Sequence, residues 1–336
     1  MSEVLISAER QPEPARQLRF SNPPRLARPR LLTGALPERR VETMRKACSV
    51  ALAIVCSLST AAFAGTGTSA AQQALDEALA GTHAVAVVLD GGDGRMIAAV
   101  RGEHAGQDAS APGSTLKPLF LAAALRRGKV RAGTTVVCRG DLRIAGRDLA
   151  CTHPRDETVF DAERALAYSC NAWFANLGLR FTPEEAAGVL RDYGFGSRTG
   201  LIAGESAGEV RTARSEDEVQ LMVLGLEDVE VTPVQLARAY LRLSGELEAE
   251  PVLRRGLEGS VAYGMAHNAA TAGVEIAGKT GTASDAGGAW THGWFAGIAE
   301  HGAERVVVTI FVPRGNGADA AALAHRFFAE WGRVAG

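Results

Sequence analysis

The stretch that decides the fold is Pro112-Gly113-Ser114 followed by residues 115–126, which read TLKPLFLAAALR. Apolar side chains recur along that run at helical spacing, so the pattern predicts a helix over Thr115–Arg126 with Ser114 at or beside its N-terminus. The runs typical of strands lie near the two ends of the chain, and those typical of helices lie mainly between them. That order limits which strands can lie next to each other in one sheet.

Two strand-like runs precede this helix, and a turn rich in glycine and aspartate joins them as a hairpin. Helical patterns follow it, then three strand-like runs, then a last helix. A chain with strands at both ends and helices in the middle predicts an α+β fold: one antiparallel sheet assembled from both ends of the chain, flanked by helices, plus a helical lobe. The expected strands are residues 83–89, 96–100, 273–277, 293–299 and 305–312, and the expected helices are residues 71–79, 115–126, 161–177, 182–193, 232–243, 257–271 and 318–331.

The composition is that of an ordinary globular protein, with 46% apolar and 22% charged residues in 336. The chain has 36 basic and 38 acidic residues, and the acidic excess is larger in residues 65–336. No basic surface for nucleic acid is therefore expected. The seven histidines stand singly, without metal-ligand spacing, and we take most of them to be surface residues. The sequence predicts neither a metal nor a cofactor.

Residues 44–64 have the order of a secretory signal: Met44 is followed by two basic residues, an apolar stretch, and small residues at positions 62 and 64. They predict a signal peptide or a retained anchor that starts at Met44. The proline- and arginine-rich residues 1–43 predict a disordered arm, which is either an upstream start-codon artefact or a cytoplasmic tail. We expect residues 65–336 to form the exported domain, in the periplasm or on the outer face of the cytoplasmic membrane.

Three cysteines remain in that exported part. Cys138 and Cys151 flank an expected hairpin between residues 135–137 and 149–150. Outside the cytoplasm they either form a disulfide or stay as two unpaired thiols, and Cys170 stays single.

Only four of the 36 basic residues are lysines. Arginine cannot give up its proton in a protein, whereas a desolvated lysine can. A chain with this bias keeps lysine where the difference matters. Two of the four, Lys117 and Lys279, lie in patterns with a chemical rationale.

In Ser114-x-x-Lys117 the amine lies one helical turn after the hydroxyl on the same face, which places a base beside a nucleophile. A serine at a helix N-terminus also has backbone N–H groups close to a developing oxyanion. By itself the pattern is also met on ordinary helices that carry an exposed lysine.

Two further segments carry polar groups suited to a cleft. Lys279-Thr280-Gly281-Thr282 follows a strand-like run and offers a cation, two hydroxyls and edge N–H groups to a peptide laid alongside it. Ser169-Cys170-Asn171 follows a helical pattern, and its hydroxyl and amide both face one cleft if the chain turns there.

The order Ser-x-x-Lys, Ser-x-Asn, Lys-Thr-Gly resembles the three-part signature of the penicillin-binding protein and serine β-lactamase superfamily. The flanking sequences look like the transpeptidase domains of penicillin-binding proteins, and the resemblance runs from about Thr82 to the C-terminus. It implies the penicillin-binding transpeptidase/β-lactamase-like fold. The flanks are Pro112-Gly113, Ala167-Tyr168, Tyr193-Gly194-Phe195-Gly196, Val231-Thr232-Pro233 and His292-Gly293-Trp294.

The resemblance also implies roles. Ser114 would be acylated by a D-alanyl-D-alanine peptidoglycan stem peptide, with Lys117 as its base. Ser169 would relay the proton to the leaving amine, and Asn171 would orient the acyl side chain. Lys279 and Thr280, beside Gly281, would bind the substrate carboxylate. The backbone N–H groups of Ser114 and Thr282 would form the oxyanion hole. β-Lactams would act as inhibitors, and cell-wall synthesis proteins are candidate partners.

Several alternatives stay open. The domain is a D,D-transpeptidase or a D,D-carboxypeptidase, and a serine β-lactamase is the runner-up, although neither a Glu-x-x-Leu-Asn nor a Tyr-Gly-Asn element for rapid deacylation is found. A non-enzymatic reading is a β-lactam sensor or a structural partner in wall synthesis. Gly204-Glu205-Ser206-Ala207-Gly208 also fits a nucleophile elbow, which would require a strand before it and a helix after it.

Overall fold

The computed structural model describes residues 66–334 except Glu157 and Ala286. The predictions for residues 1–43 and 44–64 lie outside the described residues. Within residues 66–334, apart from those two positions, no helix combines the length and apolar character needed to cross a membrane.

Eleven strands and ten α-helices are found in the described part of the chain. The strands are β1 Val85–Asp90, β2 Met96–Val100, β3 Val136–Val137, β4 Arg143–Ile144, β5 Arg147–Asp148, β6 Val159–Phe160, β7 Glu209–Val210, β8 Val229–Glu230, β9 Glu275–Ser284, β10 Thr291–His301 and β11 Glu304–Val312. The helices are α1 Thr66–Leu79, α2 Gly102–Gln107, α3 Lys117–Arg126, α4 Ala162–Ala167, α5 Asn171–Gly178, α6 Pro183–Asp192, α7 Glu216–Val223, α8 Pro233–Ser244, α9 Pro251–Ala262 and α10 Gly317–Val334; 3₁₀ turns occupy Gly113–Leu116 and His267–Ala269.

The main sheet has the strand order β2-β1-β11-β10-β9, and all its pairings are antiparallel. The first two strands of the chain thus pair with the last three. This confirms the predicted α+β fold and the assembly of the sheet from both ends of the chain. Strand β9 lies at an edge of this sheet.

Helices cover both faces of the sheet. In β1, Ala86 and Val88 lie in one buried cluster with residues of α1 and α10, while Val85, Val87 and Leu89 lie on the opposite side, where α2 and α8 contact the strand. The alternation follows from the two-residue period of a strand, and it buries both faces. The larger core includes the helical lobe predicted from the middle of the chain.

Side chains cap the N-termini of two helices in the lobe, α6 and α8, by hydrogen-bonding to the backbone of the first turn. Thr182 and Thr232 each accept the N–H of the residue three positions on, and Glu185 and Gln235 bond back in return. These capping boxes explain why the expected starts of α6 and α8 are confirmed to within one residue.

Three local expectations are wrong. The helical pattern at 161–177 is divided into α4 and α5 by residues 168–170, and the helix expected at 257–271 is α9, six residues earlier, followed by a 3₁₀ turn. The hairpin expected between 135–137 and 149–150 does not form, because Val136–Val137 pairs with Val159–Phe160. The chain between those two strands contains the short β4–β5 hairpin instead.

Candidate active site

Ser114 lies in the 3₁₀ turn Gly113–Leu116, which leads directly into α3 at Lys117. Gly113 has a φ of +56°, and a Cβ added there would lie 2.7 Å from the carbonyl oxygen and 2.9 Å from the nitrogen of Thr282. Only glycine allows this conformation and this approach. The turn that carries Ser114 is thereby pressed against the backbone of β9 at Thr282.

Two side chains of strand β10 hold the backbone just before Ser114 in place. The Nε2 of His292 and the Nε1 of Trp294 both donate to the carbonyl oxygen of Ala111, at 2.8 and 3.0 Å. Both residues belong to a flanking segment that carries the family resemblance. The structure shows them buried and holding the backbone three residues before the nucleophile.

Lys117 is fully buried, and its amine donates three hydrogen bonds. They go to the carbonyl oxygen of Ser169 at 2.8 Å, to Ser169 Oγ at 3.1 Å and to Asn171 Oδ1 at 2.6 Å. Desolvation lowers the pKa of Lys117 from 10.5 to about 8, against the opposing charges of the Cys170 and Cys151 sulfurs. A lysine with that pKa has a usable fraction of neutral amine near neutral pH.

The segment between α4 and α5 turns the Ser-x-Asn residues toward Lys117. Ser169 has a φ of +55°, an unusual left-handed conformation for a residue other than glycine. Asn171 begins α5, and its Nδ2 donates to the carbonyl oxygen of Leu149 at 3.0 Å. Both ends of the Asn171 amide are therefore occupied, which fixes its orientation in the cleft.

Lys279 is the second fully buried lysine. Its amine donates to the carbonyl oxygen of Thr280 at 3.1 Å. Desolvation, and then the charge of Lys117, lower its pKa well below the usual value. The two lysines of the predicted motifs thus interact electrostatically, although 162 positions in the sequence separate them.

The two hydroxyls of the Lys-Thr-Gly-Thr segment differ in access. Thr280 is only 7% exposed, and its Oγ1 donates to the carbonyl oxygen of Met265 at 3.3 Å. Thr282 is exposed, and its Oγ1 accepts the N–H of Gly317 at 2.9 Å, which leaves its own proton available. Gly281 packs against Pro112, since a Cβ there would lie 2.4 Å from the Pro112 carbonyl oxygen.

These elements enclose a cleft of about 300 Å³ with Ser114 in its wall. Asn171 and Thr282 line the same cleft, as do Arg147, Asp148 and Leu149 from the loop around β5. The structure brings Ser114, Lys117, Ser169 and Asn171 to one end of the predicted site, with the β9 segment alongside. Sequence reasoning missed the β5 residues, because nothing in their spacing links them to a motif.

The competing nucleophile elbow is wrong. Residues 205–208 are irregular, Glu209–Val210 is a two-residue strand, and the next helix begins only at Glu216. Glu205 is buried and accepts the N–H groups of Thr199, Gly200 and Ile202. This segment is a loop closed by a carboxylate and lacks the strand–turn–helix that an elbow needs.

The comparisons with known proteins agree with this geometry. The family "Penicillin binding protein transpeptidase domain" matches residues 84–246 and 248–331. Stage V sporulation protein D of Bacillus subtilis is 28% identical over 209 residues, which cover 51% of this chain and 32% of that protein. A probable peptidoglycan D,D-transpeptidase PenA of Neisseria flavescens is 30% identical over 154 residues, covering 45% and 38% respectively. The chain thus spans about a third of the length of these relatives.

Solved structures show the same fold. The transpeptidase domain of Burkholderia pseudomallei penicillin-binding protein 3 superposes with a TM-score of 0.69 at 22% identity, over 80% of this chain and 93% of that one. The D,D-transpeptidase domain of a peptidoglycan glycosyltransferase from Eggerthella lenta gives 0.69 at 21% identity, over 80% and 82%. The family match covers most of the chain and includes the Ser114, Ser169 and Lys279 motifs; the chain belongs to the penicillin-binding protein transpeptidase domain family.

Proposed function

We propose that the chain is an acyl-serine D,D-transpeptidase that acts on D-alanyl-D-alanine stem peptides of peptidoglycan and is acylated by β-lactams. The observation that carries the proposal is the buried amine of Lys117, bonded to Ser169 and Asn171 and one turn from Ser114. A buried amine bonded to a second hydroxyl, one turn from a serine at a helix start, supports an acyl-transfer mechanism with Ser114 as nucleophile, Lys117 as base and Ser169 as relay. Family membership supports the substrate class.

The reaction begins when neutral Lys117 takes the proton of Ser114. The Ser114 oxygen attacks the carbonyl carbon of the penultimate D-alanine, and the N–H groups of Ser114 and Thr282 stabilise the resulting oxyanion. Ser169 passes the proton from Lys117 to the leaving amine, so that terminal D-alanine departs and the acyl-enzyme remains. An amine of a second stem peptide then attacks the ester in transpeptidation; water does so in carboxypeptidation.

The substrate's terminal carboxylate is assigned to the β9 segment. Lys279 supplies a buried positive charge below it, and the hydroxyls of Thr280 and Thr282 lie on the same strand. Asn171 orients the acyl side chain. Of the two hydroxyls, that of Thr282 is the more accessible to a ligand in the cleft.

We further propose that residues 65–336 act outside the cytoplasm, with residues 44–64 as their export signal or anchor. The substrate supports this location, since peptidoglycan is cross-linked there. N-terminal sequencing of protein recovered from the periplasm or membrane fraction tests it: a start at or near Gly65 indicates cleavage, and a retained Met44 indicates an anchor.

Acylation is tested by intact-mass measurement after penicillin treatment of the full chain. We expect a single adduct, which is absent in Ser114→Ala and retained in the control Ser206→Ala. An adduct that survives Ser114→Ala would refute the assignment of the nucleophile.

A β-lactamase remains the second candidate, because one carboxylate, that of Asp148, lines the cleft and is a possible activator of water. Nitrocefin separates the two. One stoichiometric burst followed by a long-lived adduct supports the transpeptidase, whereas sustained turnover at roughly 1–10³ s⁻¹ that is lost in Asp148→Asn supports the β-lactamase. Adding a D-amino acid acceptor to a D-alanyl-D-alanine substrate then separates aminolysis from hydrolysis.

A further inference from the structure

All three cysteines of residues 66–334 meet at one point, together with a histidine. Cys138, Cys151, His153 and Cys170 are buried, and their ligand atoms all lie within 4.8 Å of one another. We call these four residues the Cys3His cluster. They come from separate places in the chain: Cys138 follows β3, Cys151 and His153 follow β5, and Cys170 immediately precedes α5.

The spacing of the donor atoms matches a tetrahedral zinc site. The Sγ of Cys151 lies 3.6 Å from that of Cys138 and 3.9 Å from that of Cys170, and the Nε2 of His153 lies 3.4 Å from Cys138 Sγ. Bonds of about 2.3 Å to sulfur and 2.0–2.1 Å to nitrogen around tetrahedral zinc give edges of about 3.8 Å between sulfurs and about 3.5 Å between sulfur and nitrogen. These three separations lie within a few tenths of an ångström of those edges, and all the donor atoms lie within 4.8 Å of one another.

The orientation of His153 fits the same use. Its Nδ1 bonds the carbonyl oxygen of Pro154 at 2.9 Å, which places the ring proton on Nδ1 and leaves the lone pair of Nε2 directed at the sulfurs. A ligand histidine is held in this way when its other nitrogen donates to a carbonyl. The sulfur of Cys138 also accepts the backbone N–H of Gly140 at 3.4 Å.

We propose that the Cys3His cluster binds one structural zinc ion, which ties the Ser169–Asn171 turn to the wall of the cleft. Four protein donors close the coordination shell, as in structural sites, and thiolates favour zinc over magnesium, calcium or manganese. The described residues between Cys138 and Phe160 form only two-residue strands as regular structure, and this segment brings Arg147, Asp148 and the Leu149 carbonyl to the cleft. A metal link supplies the rigidity that this segment's short elements cannot.

The proposal departs from the expectation of no metal, and His153 is buried, unlike the surface position expected for most histidines. It also offers an alternative to a Cys138–Cys151 disulfide, because Cys151 Sγ has two sulfur neighbours at similar distances and His153 completes the group. The proposal does not depend on the acyl-transfer function. Its experiments read metal content, which Ser114→Ala should leave unchanged.

The test is the metal content of the full chain, purified under reducing conditions and measured by inductively coupled plasma mass spectrometry. We expect one zinc per chain in the wild type and in the matched control Cys48→Ser/Cys56→Ser, whose cysteines lie outside the cluster. Cys138→Ser, Cys170→Ser and His153→Asn should each lose the zinc.

Cobalt provides a readout that needs no variant. Replacing zinc with Co²⁺ in the wild-type chain should give the intense visible d–d bands and thiolate charge-transfer bands of a tetrahedral sulfur-rich site, and stoichiometric zinc should remove them. A wild-type chain that takes up neither metal after reduction, or that keeps its zinc in all three ligand variants, would overturn the proposal. A Cys138–Cys151 disulfide that persists under these reducing conditions, or iron bound instead of zinc, would do the same.

Discussion

The pH dependence of acylation should report the protonation state of Lys117. Burial lowers its pKa from 10.5 to about 8, so the neutral amine at pH 7 is about 300 times more abundant than it would be on an exposed lysine. Only the neutral form can accept the proton of Ser114. The second-order rate constant for acylation should therefore rise about tenfold between pH 7 and pH 9, with a midpoint near pH 8.

The assay is the rate of labelling by a fluorescent penicillin at a series of pH values, with the full chain and pseudo-first-order conditions. Lys117→Arg keeps the positive charge but cannot act as a base, so it should lower the rate at least about 10²-fold and remove the step near pH 8. Lys129→Arg is the matched control, because Lys129 is a lysine that pairs with Glu185 away from the cleft. It should retain both the rate and the midpoint.

Lys279 is a second buried lysine, and its titration would also affect how the acylation rate depends on pH. Lys279→Arg holds a positive charge there at every pH used, so a step near pH 8 that persists in this variant belongs to Lys117. A flat profile in the wild type, a midpoint near the pKa of a free lysine, or near-normal labelling by Lys117→Arg would refute the role of Lys117 as the base.

Three further tests, which use four variants, examine the geometry of the site. Gly113→Ala forces a Cβ against the Thr282 backbone at a positive φ, so the rate of acylation should fall about 10²-fold while near-UV circular dichroism shows an intact fold. An unchanged rate of labelling would argue against the close contact between residue 113 and the Thr282 backbone. Asn171→Ala removes the 2.6 Å acceptor of the Lys117 ammonium, which should move the midpoint of the pH profile down by about one unit, and an upward shift would contradict this. Thr282→Val should raise KM for a D-alanyl-D-alanine peptide more than Thr280→Val does, because the Thr280 hydroxyl is nearly buried; the reverse order would reassign carboxylate binding.

The sheet could be predicted from sequence because each of its strands carries a local signal. Residues 85–90 and 304–312 are apolar runs bounded by turn residues, and their pairing follows once helices occupy the middle of the chain. Capping boxes at Thr182 and Thr232 likewise set helix starts from local chemistry. These features need no knowledge of distant contacts.

The break at Ser169 could not be predicted from periodicity, because the pattern of residues 161–177 is helical throughout. The left-handed Ser169 accompanies contacts with a distant side chain, since the Lys117 amine bonds both its carbonyl and its hydroxyl. The Cys3His cluster was missed for a similar reason. Its four residues stand 13, 2 and 17 positions apart, and only the fold of the irregular segment brings them together.

The scarcity of lysine proved a better guide to the site than any single motif. Among the three lysines after residue 64, the structure buries Lys117 and Lys279 completely and leaves Lys129 near the surface, with Glu185 and the face of Phe181 as its partners. A guanidinium keeps its proton, so arginine could not serve as the base at Lys117. At Lys279 the proposed role is a buried positive charge, and the ammonium of lysine is more compact than a guanidinium. At Lys129 charge alone suffices, and an arginine would serve. The composition bias therefore separates the two lysines that are buried in the site from the one that lies near the surface.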